Sequence, residues 1–202
     1  MPGEYLSSKS PYSLILNKDS TFSYRYKFEF AYKYSSGTWN KTGKNKIILN
    51  SYIKERRLPL KIYESGNNEE NKSNVNFLSV NVDISDADKK YYWCEIFIND
   101  ALYEKINCDS LSSISITPPI NSVFFGLTAD ERIPGRFLDT LYTDKFFPKS
   151  NSANKLKADI SYIDSLFNYR VFNNEVLKMT RKGLNFYNYQ SSEWQSLPKR
   201  IK

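Results

Sequence analysis

The chain of 202 residues contains no histidine. That absence removes Ser-His-Asp and Cys-His nucleophile pairs and every histidine-ligated metal site. Proton transfer near neutral pH would fall to tuned carboxylates, Lys or Tyr, and no spacing singles out such a pair. Cysteine occurs twice, at Cys94 and Cys108, too few for a zinc cluster and not spaced as a C-x-x-C redox pair. The seven glycines form neither a G-x-x-x-x-G-K nor a G-x-G-x-x-G phosphate loop, so neither cofactor nor metal is expected. No window approaches 18 consecutive apolar residues, which leaves no membrane-spanning helix. Met1-Pro2-Gly3 reads as an artificial or processed start, with any signal segment or lipid anchor removed.

Aromatic residues, by contrast, make up 16% of the chain, and they concentrate in one stretch. From Phe22 to Tyr34 every even position is Phe or Tyr, while the odd positions hold Ser23, Arg25, Lys27, Glu29, Ala31 and Lys33. Successive strand side chains point to opposite faces, so the stretch reads as one long strand with an aromatic face and a wet face. Sheets that stack nucleic-acid bases carry basic residues on the aromatic side. Here the cations fall on the other side, which fits a core. The formal charge of +7 is spread along the sequence and reads as a solvated basic surface, so neither nucleic acid nor a membrane surface is an expected partner, a membrane only through a removed lipid anchor.

Taken in order, 2–11 reads as an irregular entry, followed by a strand at Tyr12–Leu16, the aromatic strand closed by a hairpin turn at Ser35-Ser36-Gly37, a return strand beginning at Thr38-Trp39, and Lys46–Asn50, with turns at 17–20 and 42–45. A polar stretch at 65–74 marks a linker. Beyond it, 75–84, a hairpin of Tyr91–Ile98 and Leu102–Asn107 around Asn99-Asp100, Leu111–Thr117 and Val123–Leu127 read as a second β region. Leu156, Ile160, Ile163 and Phe167 recur at spacings of four, three and four, which predicts a helix over 154–167 with Ser152 near its start. Short strands return at 171–172, 175–180, 184–189 and 194–197. The expectation is a mainly β protein with an N-terminal antiparallel meander or partial barrel, a second β-sandwich-like region and one helix near 154–167. The expected domains are 1–62 completed by 168–202, and 75–167.

The order of strand, Ser35-Ser36-Gly37-Thr38-Trp39 and then Gly43-Lys44-Asn45-Lys46-Ile47-Ile48-Leu49-Asn50 resembles small secreted or lipid-anchored bacterial envelope proteins with a lipocalin-like N-terminal meander. The resemblance covers about a quarter of the chain. It implies a fold and a periplasmic, outer-surface or secreted setting; a cytoplasmic one stays open. It implies no activity, and the lipid-attachment cysteine of such proteins is not in this sequence.

Asp83, Asp86 and Asp88 lack the glycine and terminal glutamate of a calcium loop and read as a solvated turn. Asp130, Glu131, Arg132 and Arg136 lie together on a charged loop and are the candidate binding residues; no catalytic residue is assigned. Centring the second hairpin on Ala101 places Cys94 opposite Cys108, within reach of a disulfide. The expected function is non-catalytic binding of a protein partner in the envelope or secreted space. An immunity-type protein that neutralises a toxin is one alternative, and a carboxylate-dependent hydrolase is another.

Overall fold

The computed structural model describes residues 2–6, 11–29, 31–65, 76–117, 119–132, 139–149, 155–188 and 193–200, without side chains at 28, 31, 186–188 and 193–195. The first strands are β1 (Gly3–Leu6), β2 (Tyr12–Leu16), β3 (Thr21–Phe28), β4 (Ala31–Thr42) and β5 (Lys46–Ser51). Next come β6 (Arg57–Leu58), β7 (Leu60–Ser65), β8 (Asn76–Asp83), β9 (Tyr92–Ile98) and β10 (Ala101–Asn107). They are followed by β11 (Ser113–Ile116), β12 (Val123–Ala129), β13 (Leu141–Thr143) and β14 (Lys155–Ser161). The tail adds β15 (Glu175–Met179), β16 (Gly183–Asn188) and β17 (Glu193–Pro198). The described helices are single turns, α1 (Asp86–Lys89) and α2 (Asp164–Phe167).

The protein is mainly β and divides into two compact units, 1–56 with 168–202, and 57–167. The division falls at Arg56, so 57–62, expected in the first domain, belong to the second unit, where β6 and β7 join its sheets.

In the first unit, eight antiparallel strands lie in the order β1-β2-β3-β4-β5-β15-β16-β17. The ends of the sheet meet: Tyr5 bridges to Lys199, and the Arg200 N–H donates to the Glu4 carbonyl at 2.8 Å. The sheet is thus nearly closed, which leaves few free edges. Its inward positions bury Tyr5, Leu14, Leu16, Phe22, Tyr24, Trp39, Ile47, Leu49, Leu177, Leu184 and Leu197, with Phe172 from the returning chain. Phe172 meets Phe22 and Tyr24 edge to face, at centroid separations of 5.6 and 5.1 Å.

The long aromatic strand is interrupted. Glu29 takes φ 51°, and Phe28 pairs with Ala31, so the chain turns back in two residues. Each inward even position of β3 then opposes an odd position of β4: Tyr24 faces Ser35 and Tyr26 faces Lys33. Directly opposed residues share a face. Tyr32 and Tyr34 therefore stand on the outer face with Lys27 and Arg25, against the expectation of one aromatic surface. The hairpin turn expected at Ser35-Ser36-Gly37 does not form: the reversal has already occurred at Glu29, and these three residues pair with Tyr24, Ser23 and Phe22 inside the unbroken β4. The entry segment, expected to be irregular, contains β1.

The second unit holds two sheets, β10-β9-β12-β13-β6 and β11-β8-β14-β7. The first buries Cys94, Ile96, Phe125, Leu127 and Leu141; the second buries Leu78, Val80, Val82, Leu156 and Ile160, a sandwich-like arrangement. The helix expected over 154–167 is confined to α2, and β14 occupies its first part. Leu156 and Ile160 are four residues apart, a spacing that puts them on one face of a helix and equally on one face of a strand. Buried Ala158 between them, with Lys155 and Lys157 exposed, has the strand period.

Candidate functional site

The outward face of the five-stranded sheet gathers the chemistry that the sequence scatters. Inward positions of β9 are Tyr92, Cys94, Ile96 and Ile98, all buried, so Trp93, Glu95 and Phe97 project outward and stay half-buried. Register then builds rows across the sheet. Phe97 lies between Leu102 of β10 and Phe124 of β12, and its ring stacks on Phe124 at 4.4 Å and 5°. Tyr142 stands near both rings, at 6.0 and 6.3 Å. Lys145 lies 5.7 Å from the Phe124 ring and is paired with Asp100. In the next row Glu95 binds Lys105 at 2.8 Å and faces Gly126. A side chain on Gly126 would meet Thr140 at 2.9 Å and Tyr142 at 3.0 Å, so glycine lets Tyr142 lie across the strand. In the third row Trp93 stands opposite Asn107 and Thr128.

The row at the end of β9 contains the candidate loop. The Asp130 N–H donates to the Tyr91 carbonyl at 2.8 Å, fixing the carboxylate beside the sheet. Arg132 donates to it through Nε (2.7 Å), Nη2 (2.8 Å) and its backbone N–H (2.9 Å), and Trp93 Nε1 donates at 3.5 Å. The bonds from Arg132 hold the Asp130 carboxyl well below the usual carboxylate range, and Asp130 in turn raises the guanidinium. A carboxylate saturated in this way is not poised to exchange a proton near neutral pH. Arg132 remains 64% exposed, 5.9 Å from the Tyr91 ring, and Lys90 lies 5.0 Å over that ring. Asp130, Glu131 and Arg132 are thus brought together; Arg136 lies outside the described residues.

The charged loop is visible in the sequence; its aromatic contacts Tyr91 and Trp93 are not, nor is the separate cluster of Phe97, Phe124 and Tyr142 farther along the same face. The signal was present at 91–98, where bulky residues occupy both faces of one strand.

The other candidates separate. Asp86 is tied to Lys89 at 2.8 Å and Asp88 accepts from Ser85, and among the described residues no group of three or more His, Cys, Asp or Glu is placed to hold a metal. Cys94 and Cys108 are free and buried. The hairpin turns at Asn99-Asp100, both at positive φ, with a bulge between Leu102 and Glu104. That register sets Ile106 opposite Cys94, and Cys108 donates its N–H to Tyr92, so the expected opposition of the cysteines does not occur. Burial pushes both thiols up, Cys108 to about 12. Cys108 also borders a polar cleft of about 270 Å³ with Asp86, Lys89 and Asp109.

Compared with known proteins, the chain matches no family model, no curated protein and no solved structure.

Proposed function

We propose that this protein acts by binding, and that the outward face of its five-stranded sheet receives a protein partner. The observation that carries the reading is the fixed Arg132, held by Asp130 beside Tyr91 and Trp93. Trp, Tyr and Arg are the residues that most often dominate interface energy, and a side chain already held in place loses little entropy on binding. Leu102, 55% exposed, Phe97 and Phe124 extend the same surface with apolar area. The envelope or secreted setting is part of the proposal and is supported by the resemblance of the first sheet's sequence.

The test is affinity capture from the native organism, with Arg132→Glu and Trp93→Ala compared with wild type, beside a broad hydrolase screen. Each substitution is expected to weaken a stoichiometric protein partner by about 30-fold or more, with a cooperative thermal unfolding transition retained. A partner retained by both variants would refute the assignment, as would reproducible turnover abolished by changing one carboxylate.

A further inference from the structure

The +7 charge that looks dispersed along the sequence is divided by the fold. The first unit carries 17 Lys and Arg against 6 Asp and Glu, a formal +11; the second carries 12 against 16, a formal −4. Within the first unit the cations gather at one end. Adjacent antiparallel strands place the β2–β3, β4–β5 and β15–β16 turns and the end of β17 on the same rim. The hydrogen bonds agree: Met179 N–H to the Asn45 carbonyl and Lys199 N–H to the Lys182 carbonyl.

Lys18 sits on the first of these turns, and Lys41, Lys44 and Lys46 surround the second. Arg181 and Lys182 form the third, and Lys199 and Arg200 follow β17. With Lys178, this rim holds nine exposed cations and only two of the unit's six carboxylates, Asp19 and Glu4. Glu4 pairs with Arg200 at 3.2 Å, and Asp19 accepts from Thr21 at 2.7 Å. Lys46 stands directly opposite Lys178, a like-charged pair that costs the sheet stability where an acidic partner would add to it.

We propose that this rim docks on an anionic lipid surface. Among the described residues, the large apolar side chains exposed in this unit, Ile15, Tyr32, Tyr52 and Val176, are not on these turns, so the described rim offers no ring on which a nucleic-acid base would stack. Nor does it present a helix or ribbon to enter a duplex groove. Cations on several separate short turns form a ring, and a ring meets a plane of phosphates more fully than it meets a single strand of them.

The experiment is co-sedimentation of the full chain with vesicles of phosphatidylcholine, with and without phosphatidylglycerol. Binding is expected only with the anionic lipid and is expected to vanish at high salt, where the charges are screened. Each cation close to such a surface is worth about a factor of five, so Lys44→Gln/Arg181→Gln/Lys182→Gln should weaken binding by about a hundredfold. The matched control Lys61→Gln/Lys155→Gln/Lys157→Gln, on the second unit, should bind like wild type. Equal loss in the control, full retention in the rim variant, or no binding to the anionic vesicles would overturn the proposal. Tighter binding to duplex DNA than to the vesicles, lost in the same rim variant, would reassign the partner and overturn it as well.

Discussion

At Gly37 a Cβ would lie 2.0 Å from the Asn50 carbonyl oxygen and 2.7 Å from the Ser51 Cα. The contacts are backbone, so nothing flexible can yield, and the strand must bow away from β5 beside the buried Ser35–Ser51 hydrogen bond of 2.8 Å. Gly37→Ala is expected to cost about 3 kcal/mol or more in denaturant unfolding. Gly43→Ala has open space around it and faces only its positive φ, so it should cost about 1 kcal/mol. Glu175 makes a different kind of contribution. Burial raises its carboxyl above the ordinary 4.5, with Arg170 opposing. The folded state therefore holds the proton more tightly than the unfolded chain does. Its contribution favours folding at acidic pH and is lost as pH rises through the folded value. Glu175→Gln should be more stable than wild type at neutral pH, with the difference shrinking below pH 4.5; a difference that grows on acidification would contradict this.

The β9–β10 hairpin shows how a correct element can carry a wrong contact. Its strands and its Asn99-Asp100 turn are legible in the sequence, but the bulge near Tyr103 is not, because no residue type demands it. That irregularity and the placement of the turn decide which residue faces Cys94. With both thiols buried and their pKa values raised, neither should react with a thiol reagent in native protein, and both should react on unfolding. Intact mass under oxidising conditions should show no loss of two daltons. At 22–34 the aromatic alternation predicts one strand with one aromatic face, but a two-residue reversal at Glu29 divides it in two and exchanges the faces while leaving the alternation intact. Period alone cannot detect it, and Glu is not a residue that announces positive φ. The charged loop at 130–132 was legible from composition. Its aromatic contacts are Tyr91 and Trp93, about forty positions earlier in the chain, which only the pairing of β9 with β12 brings beside it.

For the whole molecule, the tail is part of the first sheet. Ending the chain at Phe167 removes β15, β16 and β17, opens the β5 edge and uncovers Ile47 and Leu49, which pair with Leu177 and Glu175. Such a fragment should aggregate or unfold at lower denaturant; unfolding at the full-length midpoint would show that the tail is dispensable.

The chain leaves the first unit after β5 and returns to it at Asn168, where the Ser51 N–H meets the Phe172 carbonyl at 2.8 Å. This connectivity imposes an order on synthesis. Five strands of the sheet are made before the second unit and wait with the outer edge of β5 open, while the second unit, continuous in sequence, is completed and free to fold. Its folding shortens the loop that must close before β15 can dock, which lowers the entropy lost in that step. Residues 168–202, made after the second unit, close the sheet that 1–56 begins, so pulse-labelled nascent chains should become protease-resistant over 57–167 before they do over 1–56.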